Sequence, residues 1–196
     1  MPCFPRAIGQ RERAAKRLAS SCYVLMIAGM AFRDSTAPLM TVSPIVASDV
    51  VRGICRLFAR NDIWCLGEMA LRCGRRADLM GIDAKGDIII VEVKVSRADL
   101  LGDGKWTDYL DYCDRFYWGL APGLDRACLE TEAFRPECCG VIVADGYDAE
   151  ILRPAPTRKL AAPRRKVETE RLARAALRRL VTGADSELQR WGDAER

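Results

Sequence analysis

Histidine is absent from the whole chain of 196 residues. That excludes Ser-His-Asp and Cys-His catalysis, imidazole proton relays and histidine-ligated zinc. General acid–base work is left to Asp, Glu, Lys, Tyr or a metal-bound water. Lysine is also sparse, at six of the 31 basic residues, so the arginine bias reads as compositional and carries little functional weight by itself. The nine cysteines form no C-x-x-C pair and are odd in number, which argues against a zinc knuckle or a disulfide framework. Cys55, Cys65 and Cys113 lie in apolar patterns and read as small core residues, as suits a reducing cytoplasm. No apolar run is long enough to span a membrane; the richest, Tyr23–Phe32, is short and broken by Gly29.

What is present is the material of a globular domain: 49% apolar and 30% charged residues, enough of the former for a core. The net charge of +4 permits a nucleic-acid partner without demanding one. Residues 1–39 differ from the rest, with Arg11, Arg13, Lys16 and Arg17 ahead of the apolar run. Two readings stand: a segment resembling a signal peptide, or an extension that is disordered or arises from a start site upstream of the true one at Met40. The domain proper is expected over 40–183, followed by a polar tail over 184–196.

From Met40 the periodicities become regular. Ser48 is placed to cap a helix over Asp49–Arg60, with Val50, Ile54, Leu57 and Phe58 on one face. Strands are expected at Ile63–Leu71, Arg76–Asp83 and Asp87–Val95, with a turn capped by Ser96 next. A helix is expected over Lys105–Asp114, then strands at Arg115–Ala121, Gly140–Asp145 and Ala149–Leu152. Pro154, Pro156 and Pro163 mark a linker into a helix over Lys166–Val181 with Ala173, Ala176, Leu177 and Leu180 on one side. No internal repeat is visible. The whole reads as one α/β domain with a helical extension.

The chemistry concentrates on one hairpin. In Asp87–Val95 the face with Ile89, Val91, Val93 and Val95 is β-branched throughout and suited to burial. The other face starts with Ile88 and Ile90 and ends with Glu92 and Lys94. Such charges need partners or a metal if buried. Ala84-Lys85-Gly86 is a three-residue loop ending in glycine, the pattern of a type I turn followed by a left-handed residue. If Asp83 and Asp87 close it, Asp78 lies opposite Glu92, roughly 4.5–5.5 Å apart at Cβ. Two carboxylates so close raise one another's pKa unless a cation intervenes. Magnesium, with manganese as a substitute, suits the pair because it uses one or two carboxylates and keeps several waters. Lys94 is placed to orient a metal-activated water or to stabilise charge on a phosphate. Glu68, in Leu66-Gly67-Glu68, is a third ligand or an orienter of the first two. The alternative is a solvated sheet face, against which Ile88 and Ile90 argue.

Three segments carry a resemblance: Gly74-Arg-Arg-Ala-Asp78-Leu-Met-Gly, Ile90-Val-Glu92-Val-Lys94-Val-Ser-Arg-Ala-Asp-Leu-Leu-Gly, and Lys105-Trp-Thr-Asp-Tyr-Leu-Asp-Tyr-Cys-Asp-Arg-Phe-Tyr. They resemble the MmcB family of bacterial DNA repair proteins, placed in the PD-(D/E)xK nuclease-like superfamily, over roughly Val50 to Val181. The resemblance implies a restriction-endonuclease-like core, a mixed β-sheet flanked by helices, in a cytoplasmic, nucleoid-associated protein that acts on DNA. Carried over by position, Asp78 and Glu92 match the metal-binding acids and Lys94 the catalytic lysine. Glu68 is a looser match to an additional acid, and Ala77 replaces the proline of the motif's name. Some members have lost catalysis, so an adaptor that only binds DNA is also implied. Lys105 is expected to reach a phosphate. Arg75 and Arg76 steer phosphate, lie on the surface or pair with Glu68. Arg164, Arg165 and Lys166, continued by Arg171, Arg174 and Arg178, form a stripe suited to a phosphate backbone or to solvent. A homodimer or a repair-protein partner is left open.

Overall fold

The computed structural model describes residues 44–185 and 187–188; the expectations for the first 39 residues and for most of the tail lie outside them. Six strands form one mixed sheet in the order β1-β2-β3-β4-β5-β6. They are β1 (Ile63–Ala70), β2 (Arg76–Asp83), β3 (Ile88–Lys94), β4 (Arg115–Leu120), β5 (Cys139–Ala144) and β6 (Ala149–Arg153). β3, β4 and β5 are mutually parallel, and the outer pairings are antiparallel. Helices α1 (Ala47–Arg60), α2 (Arg97–Gly102) and α3 (Ala162–Ala184) flank it. This α/β architecture is consistent with a restriction-endonuclease-like core. Among the described residues no helix is long and apolar enough to cross a membrane.

The two faces of the sheet are covered differently. α1 lies on the first, where Val50, Ile54 and Phe58 recur at helical spacing and meet Leu79, Ile89, Val91, Tyr117 and Ile142. It begins at Ala47 with Val46 as its N-cap, so Ser48 lies inside the helix and does not cap it; the Asp49 carboxylate accepts from the Val46 N–H (3.2 Å). Gly53 lets α1 approach the β5–β6 turn, since a Cβ there would lie 2.5 Å from the Asp148 carbonyl. The second face carries an aromatic core in which Trp106, Tyr109, Phe116, Trp118 and Phe134 stack on Met80, Ile88 and Ile90. Every residue of β3 is therefore buried.

The expected helix over Lys105–Asp114 is instead a 3-10 segment, Trp106–Asp111. With three residues per turn, Trp106, Tyr109 and Tyr112 align on one side, and all three are buried. An α-helical face over this segment therefore does not form.

The apolar side expected of the last helix is not its packed side. Leu177 and Leu180 are 61% and 72% exposed, whereas Glu168 and Leu172 are buried. α3 docks through polar grips. Arg171 donates to the carbonyl of Ala70 (2.6 Å) and Arg179 to that of Glu68 (3.3 Å). At its start, Arg165 donates to Asp114 (2.7 and 2.5 Å) and to the Gly86 carbonyl (2.8 Å). Asp114 also accepts from the N–H groups of Ile88 and Leu160, and Lys159 pairs with Asp87. This buried knot joins the β2–β3 turn, the start of β4, the linker and α3. Burial works against ionisation of Asp114, but the Arg165 and backbone donors outweigh it and hold its pKa below the usual carboxylate value.

Two outcomes follow for stability. Arg165→Ala leaves the Asp114 charge without its guanidinium and is expected to cost about 3–5 kcal/mol in urea unfolding. Because the Asp114 pKa is lowered in the fold, its contribution is complete above the ordinary Asp range. It is lost as pH falls below that range, so the deficit of the variant shrinks in acid.

Candidate metal and nucleic-acid site

The hairpin register is the one that the loop pattern requires. Gly86 has a φ of 79°, its N–H donates to the Asp83 carbonyl (2.9 Å), and Leu79 pairs with Val91. The pairing stops there. β2 turns away from β3, and the Val93 N–H donates to the Asp78 carboxylate (2.7 Å). The Asp78 N–H in turn faces Glu92 Oε1 at 3.4 Å.

The cause of this departure lies one strand further out. Between β1 and β2 the register skips the Glu68–Asp78 pair, and Glu68 adopts a φ of 54°. Side-chain alternation breaks at both residues. Leu66 and Met69 face the same core, as do Ala77 and Met80, although each pair is three positions apart. Two opposed irregularities thus take both carboxylates out of the sheet's faces and leave them at its end, where backbone strain of order 1–3 kcal/mol is commonly held at functional sites.

Asp78, Glu92 and Lys94 meet in a cleft of about 450 Å³ at this end, together with Glu68, Asp99 and the first turns of α1. Glu92 and Lys94 form its floor, at 4% and 7% exposure. Lys94 Nζ is 3.0 Å from Asp103, 3.5 Å from Glu92 and 3.7 Å from Asp99. Burial, and then the Asp78 charge, push the Glu92 carboxyl up to about 7. Burial also raises Asp78, against the opposing effects of the Val93 N–H and Lys94. Burial by itself would depress Lys94, but Asp103 and the other acids reverse this and hold it above its ordinary value. The cleft therefore holds more negative charge than its lysine balances. Tyr109 is buried, and its hydroxyl donates to the Arg76 carbonyl (3.2 Å) beside Glu92.

Two hard oxygen donors fit magnesium, whose remaining positions are filled by water. They do not form a full protein cage. Among the described residues no three acidic or thiol side chains converge on a metal position. Glu68 lines the cleft, but its carboxylate pairs with Arg76 (2.5 Å), so the expected triad of Asp78, Glu92 and Glu68 is not assembled.

The expected phosphate contacts scatter. Lys105 is exposed at the head of the 3-10 segment and does not line the cleft. Arg75 pairs with Asp108 (2.7 Å) and lies over the Tyr109 ring. Arg164 lies over the Tyr112 ring (5.0 Å), and Lys166 pairs with Glu170 (3.6 Å). Arg165 is committed to Asp114 and Asp87 and is a fold residue, not a free cation. The acids that hold Lys94 were missed in the sequence. Their signal was the four-residue spacing of Asp99 and Asp103 directly after the Glu-x-Lys strand.

The chain belongs to the MmcB-like DNA repair protein family, whose model matches residues 40–187. A solved structure similar to it is the SPO1766 protein of unknown function from Silicibacter pomeroyi. The identity is 39%, over 76% of this chain and 96% of that one, with a TM-score of 0.61. No protein of curated function matches.

Because the fold raises the Glu92 pKa, its ionisation opposes folding above about pH 7 and costs nothing below its ordinary 4.5. In metal-free buffer at pH 8, Glu92→Gln is therefore expected to stabilise the protein, on the order of 1–3 kcal/mol, with the gain vanishing near pH 4. Thermal melts across this range check it; an equal effect at both ends contradicts it.

Proposed function

We propose that this MmcB-like protein is a magnesium-dependent nuclease that hydrolyses DNA phosphodiester bonds in repair. The observation that carries the reading is that Asp78 and Glu92 line one acidic cleft, with the Lys94 ammonium beside Glu92. Membership of a DNA repair family supports the substrate class, and the likeness of the motif to PD-(D/E)xK nucleases supports the reaction.

Asp78 and Glu92 would hold the ion. Asp78 keeps one carboxylate oxygen for this while the other accepts from Val93. Magnesium bound there supplies a more acidic water and partial neutralisation of the phosphate. Lys94 stabilises the negative charge that develops on the phosphate and orients the attacking water. The tether from the Val93 N–H fixes the Asp78 carboxylate before substrate arrives, which reduces the reorganisation that binding would otherwise require.

A second reading is favoured by one observation: Lys94 is ringed by Glu92, Asp99 and Asp103. A lysine held this way serves an adaptor that binds DNA without turnover. Such a protein would bind DNA in a salt-dependent manner without metal.

The test is cleavage of duplex, nicked, branched and single-stranded DNA with magnesium or manganese. Cleavage is expected to fall on the order of 100-fold in Lys94→Ala and to require Asp78. No cleavage of any substrate, together with salt-dependent DNA binding that needs no metal, decides for the adaptor; cleavage unaltered in Lys94→Ala overturns the role given to Lys94.

A further inference from the structure

Lys94 has three acidic neighbours, and they are not equivalent. Asp103 is the nearest at 3.0 Å, and both side chains of that pair are at least nine-tenths buried. Glu92 is further away at 3.5 Å, and Asp99, the furthest at 3.7 Å, is half exposed. Attraction across a short, buried gap exceeds that across a longer or wetter one. Asp103 owes its place to the backbone. At the end of α2 it has φ −86° and ψ 65°, and the Gly104 N–H donates to the Gly102 carbonyl (3.0 Å). That is an inverse γ-turn centred on Asp103. On another side, the Trp118 ring centroid lies 5.9 Å from the ammonium.

We infer that Asp103 is a positioning residue, which holds the Lys94 ammonium more closely than Glu92 does, so that only a long 3.5 Å bond to Glu92 remains and Glu92 can still hold a cation. The inference rests on the nuclease reading above. Glu92 and Lys94 are two residues apart on one strand, and alternation gives both side chains the same direction. Without a stronger acid elsewhere, the ammonium would settle on Glu92 and compete with a divalent ion for the same oxygens. Asp103 weakens that competition while keeping the lysine charged and within reach of a phosphate in the cleft. The role is distinct from ligation, because Asp103 acts only through Lys94.

This makes a particular prediction about coupling. Manganese binding to the full chain is measured by calorimetry for the wild type, Asp103→Ala, Lys94→Met and the double variant. Asp103→Ala is expected to weaken binding about tenfold. The loss should disappear when Lys94→Met is also present, since no ammonium is left to compete. Asp103→Glu, which keeps the charge, should recover most of the affinity. A loss of equal size with and without Lys94 means that Asp103 acts by simple long-range charge and overturns the inference. So does wild-type affinity in Asp103→Ala. Should that variant fail to fold, the near-isosteric Asp103→Asn takes its place in the cycle. A crystal structure of the Asp103 variant gives a readout that needs no metal: Lys94 Nζ must move onto Glu92, and an unmoved ammonium overturns the inference. Failure of the wild-type protein to bind manganese overturns the nuclease reading itself and is a different result from any of these.

Discussion

The hydrogen bond from the Val93 N–H to the Asp78 carboxylate is the contact on which the site depends. An antiparallel ladder normally satisfies such a donor with a backbone carbonyl. Here a side chain takes it, one residue beyond the last paired position of β2 and β3. The ladder can then end without leaving a buried donor unmet, and the cleft lies at this end of the sheet, beneath the start of α1. The same bond fixes the Asp78 carboxylate beside Glu92. The irregularity at Glu68 and Asp78 is the other half of this arrangement, because it takes both acids out of normal side-chain alternation.

The rest of the fold makes that local arrangement rigid. β3 is buried on both faces, by α1 on one and by the aromatic core on the other. Glu92 and Lys94 therefore project from a strand that has little freedom to move. The floor of the cleft is dry enough for burial to shift both carboxylates upward. A site with this excess of negative charge is incomplete by itself and gains most from a cation. α3 contributes from outside, gripping the edge-strand carbonyls of Ala70 and Glu68 with arginines. Those contacts cover a sheet edge that would otherwise be open to another strand.

Much of this was legible beforehand. The glycine-ended loop set the hairpin register, since a slip of one residue would have turned the β-branched face of β3 to the wrong side. The strands of the sheet, helix α1 and the shared direction of Glu92 and Lys94 followed from alternation and turn chemistry, whereas Asp78 reaches Glu92 only through the break in alternation at Glu68 and Asp78. Less legible were features whose cause is not local. The 3-10 geometry of Trp106–Asp111 reflects the packing of three aromatic residues on one side, which a helical period misassigns. Arg165 looked like one member of a basic stripe suited to a phosphate backbone or to solvent. Its partners, Asp87 and Asp114, are far away in sequence.

The sequence by itself determined the strand pairing around the Ala84-Lys85-Gly86 loop, which brings Asp78 near Glu92 and Lys94; the Val93 tether and the irregularity at Glu68 and Asp78 then fix the Asp78 carboxylate there. Such information is carried by neighbours in the chain, through alternation, turn preference and hydrophobic pattern. Only the tertiary structure decided what each charge does once assembled. It paired Glu68 with Arg76, committed Arg165 to the fold and enclosed Lys94 between Glu92, Asp99 and Asp103. The physical reason is that a charge is governed by distance and burial. Those follow from how distant segments pack, not from residue type or spacing.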